Sequence, residues 1–370
     1  MTGWIECKLS DIGTVVGGAT PSTKNADNYN DGKIAWITPK DLSSFKGRYI
    51  ERGERNITEV GLKSCSTQLL PKNTVLFSSR APIGYCCIAA NEVCTNQGFK
   101  SVIPNEHIDP LFLYYLLKNN KDSIEKMGSG TTFKEVSGST MKNIVISVPA
   151  DKKMQERIAS ILGCIDDKIE HNERINNNLA DQAQAIYQQY FVAEANPDWP
   201  LGHLSDLIDI KYGKDHKKLA DGTYPVYGSG GIMRYVERPL YEKESVLIPR
   251  KGTLNNVIYV NQPFWSVDTM FYTEMKQDNV AKFVYHYVKS KDLASMNAGS
   301  AVPSMTTAIL NALELPLPSI EALKHFEVSV APMYEMMQKN EEESHKLAKL
   351  RDALLPKLMS GEIDVSDLDL

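Results

Sequence analysis

The sequence has few cysteines, and they lack the spacings that hold metals or disulfide frameworks. None of its seven histidines belongs to an HExxH motif, and no two cysteines form a CxxC pair. We therefore expect buried thiols, with neither a metal site nor a disulfide framework. The six cysteines are Cys7, Cys65, Cys86, Cys87, Cys94 and Cys164.

Long apolar runs are also lacking. No stretch approaches 18 uninterrupted apolar residues, and the start, MTGWIECKLSDIG, has neither the basic flank nor the apolar core of a signal peptide. The 370 residues are 42% hydrophobic and 24% charged, which is ordinary for a soluble globular protein of two or three domains. We expect a cytoplasmic protein with no membrane contact.

Motifs that carry catalysis are missing as well. There is no GxxxxGK[ST] loop, no GxGxxG opening a helix and no GxSxG elbow. GSGGIMR (residues 228–234) is rich in glycine, but it follows YPVY and leads toward another strand, so a turn is favoured over a nucleotide cradle. No carboxylate pair indicates general acid and base chemistry. We therefore predict that the chain is not an enzyme.

Charge is unevenly distributed around a net value of −5. Residues 1–150 carry 17 Lys+Arg against 14 Asp+Glu, whereas residues 319–370 carry 6 against 11. This distribution allows anion binding by the non-acidic blocks and protein contacts by the acidic ones, although the signal is weak.

What the sequence does have is an internal repeat. KLSDIG (8–13) returns as HLSDLI (203–208), an offset of 195, and VLFSSR (75–80) returns as VLIPR (246–250), which sets Arg80 against Arg250 at 170. KMGSGTT (126–132) and ISVP (146–149) return at 169. The offset falls by about 25 and then stays nearly constant. We infer a tandem duplication with one insertion within residues 20–53 of the first copy.

Each copy predicts a mixed α/β part followed by a long helix. The mixed parts contain β-branched and aromatic runs such as KIAWIT, TVLFSS, YPVYG and MFYTEM, and each embeds one helix. In the first of these helices Asp109 is the predicted N-cap and Pro110 the first helical residue. The long helices are predicted over about 152–192 and 320–359, with apolar spacings of three and four and asparagines at matching positions, Asn172 and Asn340.

Either long helix could be buried against its own domain, but about 35 residues at about 1.5 Å each make a rod of about 50 Å, more than one such domain covers. We therefore predict two antiparallel rods forming a coiled coil between two similar domains, with pseudo-two-fold symmetry. The predicted boundaries are 1–150 for the first domain, 151–195 for the central helix, 196–318 for the second domain and 319–370 for the C-terminal helix and tail. Two similar domains held a fixed distance apart by paired helices suit a DNA site whose two halves are separated by a fixed gap.

Several motifs, taken together, resemble one family. They are LSDIG, GGATPS (17–22), WITPKDL (36–42) and SSRAPIG in the first domain, then the connector MQERIASILGCIDDKIEHNERINNNL. The second domain has YPVYGSGGI, LIPRKGTLNN and FWSVDTMFYT, and the chain closes with RDALLPKLMSGEI. Over essentially its whole length the chain resembles the specificity (S) subunit of type I restriction–modification systems.

The resemblance implies that each domain is a target-recognition domain reading one half of a bipartite, asymmetric double-stranded DNA site. It implies that the helices set the spacer and dock two methyltransferase subunits, which restriction subunits join. It further implies that S-adenosylmethionine and base flipping belong to the methyltransferase subunits, so that this chain needs no cofactor of its own.

Candidate DNA-binding residues lie in loops or at strand ends. Arg80, Arg250 and Lys251 leave apolar strands on short stiff turns, from which a cation anchors a phosphate or forks onto guanine; alternatively, each ties down its own loop. Individually, the other candidates could equally be solvated, and the loops holding Thr131, Lys134 and Ser300 could merely turn the chain. These others are Thr20, Ser22, Lys40, Ser78, Ser79, Thr131, Lys134, Lys214, Tyr227, Ser229, Arg234 and Ser300.

Two functions of other classes stay open from the residues alone. The first is a duplicated interaction scaffold that uses its rods to hold two proteins and binds no DNA. The second is an enzyme that both recognises and modifies its target, which ranks lower because the needed motifs are absent.

Overall fold

The computed structural model describes residues 3–80, 82–130, 134–296 and 304–366. The chain divides into two compact units. Unit 1 comprises Met1–Glu173 and Glu341–Leu370, and unit 2 comprises Arg174–Asn340. Each unit therefore holds one mixed α/β part together with segments of both long helices.

The described residues of unit 1 form three small sheets. A five-stranded sheet has the order β2-β9-β6-β7-β4, a three-stranded sheet the order β5-β3-β8, and β1 pairs with β10. The strands are β1 (Trp4–Lys8), β2 (Gly13–Gly17), β3 (Ile34–Ile37), β4 (Tyr49–Ile50), β5 (Arg55–Ile57), β6 (Val75–Phe77), β7 (Cys86–Ala89), β8 (Cys94–Thr95), β9 (Lys100–Pro104) and β10 (Val145–Pro149).

The helices of unit 1 are short except for two. They are α1 (Leu9–Ile12), α2 (Pro39–Ser43), α3 (Glu59–Lys63), α4 (Pro110–Asn119), α5 (Lys121–Lys126), α6 (Gly138–Lys142) and the long α7 (Lys152–Gln188), with a 3₁₀ turn over Ala26–Asn28. The predicted start of α4 is confirmed: the Asp109 carboxylate accepts from the Phe112 N–H at 2.7 Å, and Pro110 is the first helical residue. The apolar residues of α4 are buried in the main core of the unit.

Unit 2 repeats this plan. Its sheets have the orders β12-β18-β15-β16 and β14-β13-β17, and β11 pairs with β19. The elements are a π-helical turn over Gln189–Ala193, β11 (Leu201–His203), α8 (Leu204–Leu207), β12 (Ile208–Tyr212), β13 (Asp221–Gly228), β14 (Gly231–Val236), β15 (Ser245–Pro249), β16 (Ile258–Val260), β17 (Trp265–Ser266), β18 (Met270–Met275), α9 (Ala281–Lys289), α10 (Thr307–Asn311), β19 (Glu314–Pro316) and α11 (Ile320–Met359).

The sheet orders show where the first copy is longer. Strand β4 is an additional edge strand of the large sheet in unit 1, and it lies with α2 in the part of the chain between β3 and β5. By contrast, β14 follows β13 directly as a hairpin. The insertion predicted within residues 20–53 therefore adds α2 and β4 to a plan that the two units share.

Both long helices form as predicted, and segments of them pair antiparallel within each unit. In unit 1, Asp166 contacts Arg351 at 2.7 Å, while the Asn172 amide donates to Glu343 at 2.8 Å. In unit 2, the Asn340 amide donates to the Asn176 side chain at 2.8 Å. Both Asn172 and Asn340 are buried, so the matched asparagines are polar members of the apolar seam.

The prediction of buried cysteines holds only in part: Cys164, on α7, is exposed, and Cys7, Cys65 and Cys86 are half-buried. Cys87 and Cys94 are buried in the sheets, as expected. Among the described residues, no helix is long and apolar enough to cross a membrane.

Candidate nucleic-acid interface

In unit 1, the turn formed by residues 95–99 brings two segments together. The Ala19 N–H donates to the Thr95 carbonyl at 3.0 Å, and the Ser79 N–H donates to the Gly98 carbonyl at 2.7 Å. Gly18 is required for this approach, because a Cβ there would lie 2.2 Å from the Thr95 carbonyl oxygen. The GGATPS loop and the end of the VLFSSR strand therefore meet at one surface.

The two serines before Arg80 are braces of this surface. Ser78 and Ser79 are fully buried. The Ser78 hydroxyl donates to the Pro82 carbonyl at 2.8 Å and accepts from the Tyr85 N–H at 2.8 Å, while the Ser79 hydroxyl donates to the Gly98 carbonyl at 3.2 Å. Their predicted contact with DNA has no support from this placement, because burial and these bonds occupy both hydroxyls.

Arg80 lies at the edge of the same surface, with its side chain 36% exposed. Its guanidinium is 3.9 Å from the Glu135 carboxylate, which also pairs with Lys100 at 3.3 Å. Lys134, next along the chain, is exposed. One carboxylate thus pairs with two cations, and exposed Lys134 next to it in the chain adds a further positive charge suited to phosphate.

The other unit 1 candidates adjoin this turn. The Thr20 hydroxyl donates to the Gln97 side chain, and Pro39 packs against Gly98, which places exposed Lys40 at the start of α2 close by. Lys40 donates to Glu54 at 2.7 Å, and this hydrogen bond raises the pKa of the amine. Ser22, two residues after Thr20, is exposed.

In unit 2, residues 266–270 form the corresponding turn. The Lys214 N–H donates to the Ser266 carbonyl at 2.8 Å, and a Cβ on Gly213 would lie 2.0 Å from the Val267 carbonyl oxygen, as at Gly18. Lys214 itself is exposed. The neighbouring Asp215 carboxylate has a lowered pKa, chiefly because it accepts from the Lys217 N–H.

Arg250 is held by this turn. Its N–H donates to the Thr269 carbonyl at 2.8 Å, its guanidinium reaches the Asp268 carbonyl at 3.5 Å, and its cation lies 5.4 Å from the centre of the Tyr212 ring. Lys251, the next residue, is exposed, and its backbone forms an isolated antiparallel β-bridge with Ser304.

The hydrogen bonds correct the predicted pairing of Arg80 with Arg250. The Ser79 carbonyl accepts from the Val136 N–H, and the Arg250 carbonyl accepts from the Met305 N–H, both at 2.9 Å. The next residues form isolated β-bridges, Arg80 with Glu135 and Lys251 with Ser304. The true offset is therefore 171, and Arg80 corresponds to Lys251. The error came from aligning arginine with arginine across a gap that the backbone does not contain.

The remaining unit 2 candidates divide between the surface and its support. Tyr227 is buried, and its carbonyl accepts from the Val267 N–H at 3.1 Å. Ser229 lies at the β13–β14 hairpin tip, where its carbonyl accepts from the Asn256 amide at 2.8 Å. Arg234 instead ties the hairpin to Asp221 at 2.7 Å and to the Leu219 carbonyl at 2.9 Å.

Two candidates, Thr131 and Ser300, lie outside the described residues. Sequence reasoning missed Lys100, Tyr212 and Asn256. Tyr212 could have been found, because the offset of 195 aligns it with Gly17 and it lies two residues before Lys214. Lys100 and Asn256 gave no signal, because their roles depend on partners distant in the chain.

Buried ion pairs fix each α/β part to its own helical segments. In unit 1, Arg48 is 5% exposed and binds Asp167, Glu170 and the Gly163 carbonyl on α7, and the Tyr115 hydroxyl donates to Asp166 at 2.7 Å. These contacts join the α/β part of unit 1 to α7.

Unit 2 has its own braces. Lys282 on α9 pairs with Glu244 at 3.0 Å and with Glu327 on α11 at 2.7 Å. His286 on the same helix is bonded to Gln184 at 2.8 Å and to Tyr334 at 2.9 Å, and burial lowers its pKa to about 3. It is therefore neutral at physiological pH.

Chemically, these surfaces offer cations, hydroxyls and amides held on stiff turns. Within the described ranges, no group of three or more His, Cys, Asp or Glu side chains could hold a metal ion. The arrangement suits the binding of a polyanion.

Comparisons with known proteins decide the family. The family model described as "Type I restriction modification DNA specificity domain" matches residues 1–181 and 196–339. The specificity subunit of the type I restriction enzyme MjaIX, from Methanocaldococcus jannaschii, is 32% identical over 99% of this chain and 94% of its own. The chain belongs to the family of type I restriction–modification specificity subunits.

Other members of the family also match this chain over nearly its whole length. The specificity subunit of the type I restriction enzyme HindI, from Haemophilus influenzae, is 22% identical over 98% of this chain and all of its own. A crystal structure of the S subunit from M. genitalium superposes with a TM-score of 0.62 at 20% identity, covering 96% of both chains. The two-domain fold of S subunits is thus confirmed for this chain, and each matched segment contains one of its α/β parts together with part of the long helix that follows.

Proposed function

We propose that this S subunit recognises a bipartite, asymmetric site on double-stranded DNA, with each unit reading one half. The observation that carries the proposal is one shared backbone plan presenting different side chains. Arg80 corresponds to Lys251 and Ser79 to Arg250. Equivalent loops with different hydrogen-bonding groups suit two half-sites of different sequence.

The DNA-contacting groups proposed for unit 1 are Thr20, Ser22, Lys40, Arg80 and Lys134. For unit 2 they are Lys214, Ser229, Arg250 and Lys251. All are exposed or half-buried, and most adjoin the turns at 95–99 and 266–270. Cations on such turns bind phosphates, while guanidinium groups also fork onto guanine in the major groove.

The long helices are proposed to set the gap between half-sites and to dock two methyltransferase subunits, which restriction subunits join in the cytoplasm. In this scheme the chain itself is not catalytic. S-adenosylmethionine would be bound by the methyltransferase subunits, which would flip the target base and methylate it.

The test is co-expression of the chain with its methyltransferase subunit in a host that lacks adenine methylation. We expect the two to co-purify and sequencing to reveal methylated adenines in one split, asymmetric motif. A control without this chain should give no such motif. Co-purification without any sequence-defined methylation would favour the scaffold function, and failure of both would contradict the proposal.

A further inference from the structure

Two large apolar side chains stand side by side on the outside of unit 2. Ile232 and Met233, on β14, are 49% and 61% exposed. Consecutive residues of a regular strand point to opposite faces of the sheet. Here Arg234 pairs with Val226 and Ile232 with Tyr227, which leaves Met233 as the extra residue of a β-bulge. Such bulges redirect a side chain, and this one leaves both neighbours exposed.

The ribbon formed by β13 and β14 is accessible along its outer side. In the described part of its sheet, β14 is an edge strand whose neighbour is β13. A Cβ on Gly228 would lie 2.5 Å from the Met233 sulfur, so glycine at the tip makes room for this side chain. The ribbon thus presents Met233 near its end.

The tip is held beside the cations of unit 2. The Ser229 carbonyl accepts from the Asn256 amide at 2.8 Å, and a Cβ on Gly252 would lie 2.6 Å from the Ser229 hydroxyl. Gly252 and Asn256 therefore pack against the tip, and Arg250 and Lys251 immediately precede Gly252 in the chain. The hairpin that carries the exposed apolar pair therefore contacts the segment that directly follows the two proposed phosphate contacts.

This combination favours a DNA base over an apolar protein partner. Exposed Lys251 and half-buried Arg250, next to the segment that holds the tip, suit phosphate groups. The major groove, about 12 Å wide, admits a two-stranded ribbon, and the 5-methyl group of thymine is the apolar feature displayed there.

We propose that the β13–β14 ribbon enters the major groove of the half-site read by unit 2, where Met233, supported by Ile232, contacts the methyl group of one thymine. This inference rests on the proposed DNA-recognition function. It applies to unit 2 alone: β5 pairs regularly with β3, and Glu54, which precedes β5 as Met233 precedes Arg234, is charged.

The experiment uses the full chain assembled with its methyltransferase subunits and a DNA duplex containing the mapped site. Each thymine of the site is replaced in turn by uracil, which lacks the methyl group but pairs identically. We expect one replacement, in one half-site, to weaken binding about fourfold, the effect of losing one buried methyl contact. With Met233→Ala the normal site should bind about tenfold more weakly, and the uracil effect should disappear.

Two further variants make the result specific. Met233→Leu, which keeps an apolar side chain of similar volume, should retain the uracil effect. Leu201→Ala removes another exposed apolar side chain of unit 2, 70% exposed on β11, and should leave both affinity and uracil effect unchanged.

The inference is overturned if no single uracil weakens binding, if the half-site contains no thymine, or if Met233→Ala keeps the uracil effect. Specific binding of the unmodified site by the wild-type complex is measured as a separate result. Its loss would instead contradict the proposed function itself, so the two failures are distinguishable.

Discussion

His286 should make unit 2 sensitive to mild acid. The imidazole is 2% exposed, and it joins α9 to Gln184 on α7 and to Tyr334 on α11. Because the amide oxygen of Gln184 can only accept, Nδ1 carries the proton and Nε2 accepts from the Tyr334 hydroxyl. A second proton would create a buried cation, which is why the pKa is lowered from 6.5 to about 3.

The sign and size follow from linkage. Between pH 6.5 and about 3 the unfolded chain binds a proton at this histidine and the folded chain does not, so the free energy of unfolding falls as the pH falls. Each pH unit in this window is worth about 1.4 kcal/mol. Lowering the pH from 7 to 5 should therefore cost unit 2 about 2 kcal/mol, with the loss beginning near pH 6.5.

The assay is urea unfolding of the full chain at pH 7 and pH 5, with hydrogen exchange of the α9 amides to localise the loss. His286→Gln removes the titrating group and keeps a polar side chain, so its stability should lose about 2 kcal/mol less than the wild type over this interval. Equal pH dependence in the two proteins would refute the assignment of a buried neutral histidine.

Three further outcomes are expected. Arg80→Ala should weaken DNA binding by the assembled complex by about 1–3 kcal/mol at fixed salt, and Lys251→Ala should do the same from the other unit; unchanged affinity in folded variants would contradict both contacts. Arg48→Met should lower the free energy of unfolding of unit 1 by about 2 kcal/mol in urea unfolding, because it leaves partly buried Glu170 without its cation while Asp167 is solvated. As a control, Arg52→Met, at an exposed arginine, should change the free energy of unfolding little. One heptad inserted at matched places in α7 and α11 should lengthen the preferred gap between half-sites in methylation maps, and an unchanged gap would rule out the helices as the spacer.

Local patterns in the sequence were enough for the long helices and for the start of α4, but not for the short helices of the α/β parts. The N-cap and first residue of α4 depend on neighbours within one turn, and the bounds of α11 follow an apolar periodicity that persists over its length. The duplication likewise predicts two similar sheet systems, since each copy must bury its own strands.

Features set by contacts distant in the chain escaped prediction. Whether Ser79 faces DNA or the core depends on the Gly98 carbonyl, and its burial has no local signature. The register that equates Arg80 with Lys251 appears only in the backbone hydrogen bonds from Val136 to Ser79 and from Met305 to Arg250. The bulge at Met233 likewise depends on how β14 pairs with β13, so the sequence indicated a glycine-rich turn and not the exposed apolar pair beside it.

The most direct test of the central claim is a methylation map after exchange of one α/β part. Residues 196–318 would be replaced by the corresponding part of another type I S subunit whose split site is known, leaving both long helices intact. The account predicts that one half of the methylated motif changes to the donor's half while the other half and the gap stay the same. Retention of both original halves, or a change in both, would contradict the assignment of one half-site to each unit.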